Sequence, residues 1–188
     1  DWQEAVPGIT WVGADRMLDR QRRLKSPLEQ ELLRRAAVVA ASAHASVLPL
    51  VEPGKTERYI CAAGIAAALH AGADFVRYFR VHSGEWSAWG SRWPQATDRV
   101  LEENDLVTLD IIGAVNGYQF DVLRTCCAGE PTERGLRLLD AAADATAAMV
   151  AAVRPGVTVD ALVAVAQRVI DAAGFGAYIS TQCGHGIG

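Results

Sequence analysis

The sequence predicts an α+β fold in which paired helices cover one face of an antiparallel sheet. Three observations predict it: alanine-rich helical segments occur in pairs, β-rich runs flank an Asn-Gly dipeptide, and the helical pattern recurs at a constant offset. The 188 residues are 51% apolar, which is enough to bury one sizeable core. We therefore expect one domain rather than two.

The first helical pair is marked by clear start and stop signals. Ser26 can cap a helix, the proline that follows suits its first turn, and Glu29 completes a capping box. We expect this helix to run to about Val47, where a Pro- and Gly-containing stretch stops it. A second helix follows and ends at Ala71-Gly72. The two helices form an αα-hairpin.

The same helical pattern recurs 102 residues later. Pro53-Gly54-x-Thr56 matches Pro155-Gly156-x-Thr158, and Ala71-Gly72 matches Ala173-Gly174. Two structurally similar halves are the interpretation we favour, and a chance similarity between alanine-rich helices is the alternative. Each half continues into β-like sequence, over residues 75–81 in the first and 177–181 in the second.

Two carboxylates are predicted to converge on a β-hairpin between the helical pairs. Asn116-Gly117 is the preferred centre of a type I′ turn, because both of its residues need positive φ. In the resulting register, paired residue numbers sum to 233, and Asp110 and Asp121 share one sheet face. Two acids among apolar residues need a positive partner, and one or two divalent metal ions are the favoured candidates. Arg124 is the alternative partner, although it faces the other side unless a bulge intervenes.

His185 is a candidate third ligand. Glycines flank it on both sides, which lets the backbone approach a site closely. Imidazole together with carboxylates suits manganese, iron, cobalt or zinc better than calcium. A catalytic pair of Cys183 with His185 is a weaker hypothesis, because sequence neighbours rarely have the required geometry.

Two stretches of the chain resemble the signatures of the M24 metallopeptidase family. They are Gly113-Ala114-x-x-Gly117-Tyr118-x-x-Asp121-x-x-Arg124-Thr125 and Gly184-His185-Gly186-Ile187-Gly188. The segment 23–27, with Glu31, is similar to the lead-in of the Xaa-Pro branch, which contains aminopeptidase P and prolidase. The resemblance covers residues 22–188 and leaves 1–21 as a linker or the end of a preceding domain.

The resemblance implies the pita-bread fold, whose two related halves account for the repeat, with the C-terminal part missing here. It also implies a site for two divalent metal ions, in which Asp110 binds one ion, Asp121 bridges both and His185 binds the other. Two further glutamate ligands are expected beyond Gly188. A water activated by the ions then attacks the scissile carbonyl.

One departure from the family pattern concerns the substrate side of the site. Family members carry a histidine in a window that corresponds to residues 89–93, and this window contains none. His82 and Arg92 are therefore the candidate catalytic residues, the latter as a carboxylate-binding group. Candidate substrate-binding residues form an aromatic wall or a cation-binding box, unless they merely pack in a loop. They are Trp86, Trp89 and Trp93.

A metal-dependent hydrolase of the Xaa-Pro type, acting on short peptides or amides, is the leading hypothesis. Its alternatives are a creatinase-like hydrolase or lyase of a small cationic metabolite, which the missing histidine favours, and a non-catalytic binding module. With 18 basic and 22 acidic residues and no long run of either sign, neither nucleic acid nor a membrane is an expected partner. The four cysteines lack zinc-type pairing and suit a reducing cytoplasm. The resemblance to the Xaa-Pro branch also implies that the protein forms a homodimer.

Overall fold

The structure is a computed structural model and describes residues 2–89, 92–179 and 183–187. These residues form six α-helices and three β-strands. The helices are α1 (Trp2–Ala5), α2 (Asp15–Arg23), α3 (Pro27–Val47), α4 (Glu57–His70), α5 (Glu133–Ala152) and α6 (Val159–Ala172). The strands are β1 (Phe75–Ser83), β2 (Leu106–Val115) and β3 (Tyr118–Cys127). Short 3-10 turns lie at Leu48–Leu50, Gly84–Ala88 and Gly176–Tyr178.

Helix α3 begins and ends where the sequence predicts. The Ser26 hydroxyl accepts a hydrogen bond from the Glu29 backbone N–H at 3.4 Å, and the Glu29 carboxylate accepts one from the Ser26 N–H at 2.7 Å. This reciprocal pair is the predicted capping box. The helix continues to Val47 and is followed by a 3-10 turn at its proline.

The helical repeat is confirmed in the geometry of α4 and α6. Both helices have 14 residues, and both are capped by a threonine, Thr56 and Thr158, whose hydroxyl accepts from a backbone N–H in the first turn. The preceding glycines, Gly54 and Gly156, have φ of 92° and 84°. The same local interactions therefore start both helices.

The predicted β-like sequence at residues 177–181 is wrong where the structure describes it. Residues Gly176–Tyr178 form a 3-10 turn, in which the Tyr178 N–H donates to the Phe175 carbonyl at 2.9 Å. Phe175 is buried in a small core between α5 and α6. Burial of this ring tightens the chain into a turn directly after α6. Ser180 and Thr181 lie outside the described residues.

The three strands form an antiparallel sheet in the order β1-β2-β3. The β2-β3 hairpin has the predicted register, with Val115 opposite Tyr118 and Ile112 opposite Asp121. Its turn residues, Asn116 and Gly117, both have positive φ, 50° and 79°, as a type I′ turn requires.

The two faces of the sheet differ in chemistry. One face packs against α3 and α4 and forms the main hydrophobic core, with Phe79, Val81, Leu109, Ile111 and Phe120. Strand alternation places polar side chains on the opposite face. They are Tyr78, Arg80, His82, Thr108, Asp110 and Asp121. Among the described residues, no helix is long and apolar enough to cross a membrane.

Candidate active site

The two predicted carboxylates lie side by side on the polar face of the sheet. Asp110 on β2 pairs with Leu123, and Asp121 on β3 pairs with Ile112, so the two acids are diagonal neighbours. The side chains of Asp110 and Asp121 are 7% and 17% exposed. Burial, reinforced by the negative charge of Asp121, raises the pKa of Asp110 to about 6. The pair is therefore a place where a cation is electrostatically favoured.

Arg80 is the nearest described cation to Asp110, and the sequence analysis missed it. It lies directly opposite Asp110 on β1, with 3.2 Å between Nη1 and Oδ2. Arg124, the alternative considered from the sequence, pairs with Leu109 on the helix-covered face, as its parity predicts. Strand alternation along β1 does place the Arg80 side chain on the polar face. The register of β1 against β2, however, depends on a long connection that no turn rule fixes.

His185 lies beside the second carboxylate. Its Nε2 is 3.3 Å from Oδ2 of Asp121, and its Nδ1 lies 3.0 Å from the Gly186 carbonyl oxygen. The structure thus brings Asp110, Asp121 and His185 into one neighbourhood. Cys183 packs against the α5-α6 core.

The donor set of two carboxylates and one imidazole fits a divalent transition metal by its chemistry. Within residues 2–89, 92–179 and 183–187, no three His, Cys, Asp or Glu side chains are arranged to hold an ion. The ligand roles of the three residues accordingly remain predictions.

His82 lies next to Asp110 on the polar face. It is 1% exposed, and its Nε2 donates to the Pro94 carbonyl at 3.1 Å. Nδ1 has no hydrogen-bond partner among the described residues. The ring also meets the edge of Trp86 at a centroid distance of 5.9 Å.

The three predicted aromatic residues fall into two groups, each around an arginine. Arg92 lies 5.2 Å from the Trp86 ring centroid and 4.7 Å from that of Trp89.

Trp93 belongs to the other group, with Tyr78 and Arg80. The Arg80 guanidinium lies 4.0 Å from the Tyr78 centroid and 5.3 Å from the Trp93 centroid. Gly90 and Ser91 lie outside the described residues.

A buried carboxylate anchors the segment that carries Trp93. Glu57, 1% exposed at the start of α4, accepts four hydrogen bonds. The Ser83 N–H and hydroxyl donate at 2.8 and 2.7 Å, and the Thr97 N–H and hydroxyl donate at 3.0 and 2.6 Å. This role could not be predicted from sequence, because a glutamate in a first helical turn is expected to be solvated.

The same segment is bonded along the outer edge of β1. The Val81 N–H donates to the Gln95 backbone carbonyl at 2.8 Å, and the Phe79 N–H donates to the Gln95 side-chain oxygen at 3.3 Å. Together with the bond from His82 to the Pro94 carbonyl, these contacts fix the position of Trp93.

Comparison with known proteins now identifies the class. The sequence model of Metallopeptidase family M24 matches residues 31–188, and the chain belongs to this family. It is 36% identical over 183 residues to the probable dipeptidase PepE of Mycobacterium tuberculosis, covering 96% of this chain and 48% of that protein.

Solved structures agree with this assignment. The prolidase from Pyrococcus furiosus superposes with a TM-score of 0.86 at 28% identity, covering 93% of this chain and 51% of that chain. The dipeptidase PepE from Mycobacterium ulcerans gives 0.86 at 33%, covering 96% and 48%. The predicted pita-bread fold and the likeness to the Xaa-Pro branch are confirmed. The chain spans about half the length of the relatives it matches.

Proposed function

We propose that the protein containing this chain is a metal-dependent hydrolase of the Xaa-Pro type, which cleaves short peptides, with Asp110, Asp121 and His185 as metal ligands. The observation that carries the proposal is that Asp110 and Asp121 share one sheet face, with 3.3 Å between Asp121 Oδ2 and His185 Nε2. A dipeptidase and a prolidase among the similar proteins support the substrate class.

The residues of this chain divide the work between holding charge and positioning the substrate. When bound, divalent ions activate a water molecule and polarise the scissile carbonyl. Asp110 and Asp121 supply the negative charge that holds them, in a partly buried setting that strengthens the attraction. His82 is buried on the same face, where its Nε2 donates to the Pro94 carbonyl and holds the segment after Trp93 next to Asp110.

Three finer features belong to the same proposal. Manganese is the ion we expect first, because carboxylate ligands dominate the donor set. A cytoplasmic location is supported by the four cysteines, all of which are free thiols. A homodimer in solution is a further expectation, which light scattering coupled to gel filtration measures directly.

A creatinase-like hydrolase or lyase of a cationic metabolite is the second candidate. The absence of histidine from residues 89–93 favours it. The aromatic groups count against it, because both already lie against arginine side chains, Arg80 and Arg92. A cationic substrate at these rings would meet a positive charge of the protein, whereas an anionic group would be attracted.

Metal binding and peptide hydrolysis test the proposal together. We expect the protein, after a chelator has removed its metal, to bind Mn²⁺ in titration calorimetry. Once loaded with Mn²⁺, it should hydrolyse Ala-Pro. Asp121→Asn should weaken Mn²⁺ binding by more than about 100-fold, beyond what loss of an outer hydrogen-bond partner causes. Asp98→Asn is the matched control, because Asp98 is an exposed carboxylate paired with Arg58. Unchanged Mn²⁺ affinity in Asp121→Asn, or no cleavage of any Xaa-Pro dipeptide, would contradict it.

A further inference from the structure

The Asn116-Gly117 turn has a second chemical property, the reactivity of an asparagine that is followed by glycine. Both residues are exposed and have positive φ, 50° and 79°. Glycine has no side chain to shield its backbone nitrogen, so the Gly117 nitrogen is the least hindered nucleophile that an asparagine side chain can meet. The sequence contains one other asparagine, Asn104, and an aspartate follows it. Asn116 is therefore the site in this chain where deamidation is chemically easiest.

Deamidation proceeds through a cyclic imide. After loss of its proton, the Gly117 backbone nitrogen attacks Cγ of Asn116, and the side-chain nitrogen leaves as ammonia. Water then opens the succinimide at one of its two carbonyls and gives either aspartate or isoaspartate, in which the main chain runs through the side chain. Isoaspartate lengthens the backbone inside a two-residue turn, and the register that places Asp110 and Asp121 on one face depends on that turn.

The structure places a carboxylate on the attacking nitrogen. The Gly117 N–H donates a hydrogen bond to Oδ2 of Asp74 at 3.0 Å, across 43 residues of sequence. Asp74 is held within reach by its own backbone, because its N–H donates to the Ala114 carbonyl at 2.8 Å where β1 begins. The proton that has to leave before the attack is thus the proton that this carboxylate binds.

We propose that Asp74 protects Asn116 from deamidation, an inference that is independent of the proposed function. The hydrogen bond holds the Gly117 N–H away from Asn116, and the negative charge of Asp74 opposes an anion on the same nitrogen. The turn acts in the same direction. The succinimide ring closes only after Asn116 rotates away from the type I′ dihedrals, and the paired strands β2 and β3 resist this rotation.

The opposite role for Asp74 would be that of a general base. In that case the carboxylate would take the Gly117 proton and accelerate the attack on Asn116. A carboxylate is a weak base beside an amide anion, so the charge repulsion outweighs this assistance. The two roles predict opposite effects when Asp74 is replaced.

Peptide mapping of the intact protein tests the proposal. The proteins are incubated at mildly alkaline pH and digested with trypsin, which releases residues 100–124 as one peptide containing both asparagines. Mass spectrometry with electron-transfer fragmentation counts aspartate and isoaspartate at each position, and Asn104 serves as the internal reference. We expect Asn116 to deamidate more than about 10-fold more slowly in the folded protein than in the same protein unfolded in guanidinium chloride.

Replacement of Asp74 isolates its contribution. Asp74→Ala should accelerate deamidation at Asn116 by about 3- to 10-fold, which is the effect of one exposed hydrogen bond on a rate. Asp74→Asn keeps an oxygen acceptor without the charge and should give an intermediate rate. Asp98→Ala is the matched control, because Asp98 is an exposed carboxylate paired with Arg58, and it should leave the rate unchanged. Circular dichroism verifies that each variant is folded.

Several results would overturn the proposal. An Asp74→Ala rate equal to that of wild type would show that the carboxylate has no effect, and a slower rate would identify Asp74 as a general base. Equal acceleration in Asp98→Ala would make the effect unspecific, and equal rates in folded and unfolded wild type would exclude protection altogether. If Asp74→Ala does not fold, the isosteric Asp74→Asn decides by the same comparison. None of these results bears on metal binding or peptide hydrolysis.

Discussion

Replacing Glu57 by glutamine tests whether one buried carboxylate holds the substrate-side segment in place. Glu57 accepts four hydrogen bonds, two from Ser83 and two from Thr97, and is 1% exposed. A glutamine keeps one oxygen, which can still serve Ser83. Its NH2 group then faces the Thr97 backbone N–H, so two donors meet and the N–H loses its acceptor.

The magnitude follows from these contacts. A hydrogen bond to a charged group contributes about 1.5–3 kcal/mol, and a buried donor left without a partner costs about 1–3 kcal/mol. Some of this loss is offset because the neutral amide is cheaper to bury. We expect Glu57→Gln to lower the free energy of unfolding by roughly 2–4 kcal/mol, a large share of the stability of an ordinary domain.

Urea denaturation followed by tryptophan fluorescence measures this change. Glu52→Gln is the control, because the exposed Glu52 side chain forms a surface ion pair with Lys55 at 3.4 Å. It should alter stability by less than about 0.5 kcal/mol. A loss below about 1 kcal/mol in Glu57→Gln, or equal losses in the two variants, would refute the reasoning about the buried network.

Two further predictions concern the packing of α3 and α4 on the sheet. A Cβ added at Gly64 would lie 2.7 Å from the Phe79 ring, so Gly64→Ala should destabilise the protein by about 1–3 kcal/mol, and Phe79→Leu in the same chain should recover part of that loss. Additive effects of the two substitutions in a urea double-mutant cycle would show that they do not meet. Burial lowers the pKa of His44, as does the charge of Arg124, while the hydrogen bond to the Val122 carbonyl opposes the shift. The unfolded chain therefore takes up a proton there more readily, so stability should fall as the pH drops below about 6.5, and His44→Gln should flatten this dependence between pH 7 and 5. Identical urea midpoints against pH in the two proteins would exclude His44 as the cause.

The parts of the fold that short-range chemistry determines were predictable from sequence. The capping box at Ser26 and the Asn116-Gly117 turn each depend on a few neighbouring residues. The turn alone fixed the register of β2 against β3, and with it the shared face of Asp110 and Asp121. The shared face of the two acids is therefore confirmed, whereas their roles as metal ligands stay predictions.

Contacts across long connections were not predictable. Arg80 pairs with Asp110, which is 30 residues away. Glu57 bonds to Ser83 and Thr97, which are 26 and 40 residues away. No turn between these elements sets a register. Gln95 is a similar case, since its bonds to β1 depend on how an irregular segment folds back. The roles of Arg80, Glu57 and Gln95 depend on burial and pairing in three dimensions, which a periodic sequence pattern does not encode.

The backbone bonds between Gln95 and β1 have a consequence for protein engineering. Outer strands with free N–H groups invite pairing with another molecule, and here the segment occupies the N–H groups of Phe79 and Val81. Deleting residues of the segment that contains Gln95 would expose the outer edge of β1 and promote self-association. Replacing only the Trp93 side chain leaves the hydrogen bonds between Gln95 and β1 intact. Variant libraries should therefore change Trp93 and keep Gln95.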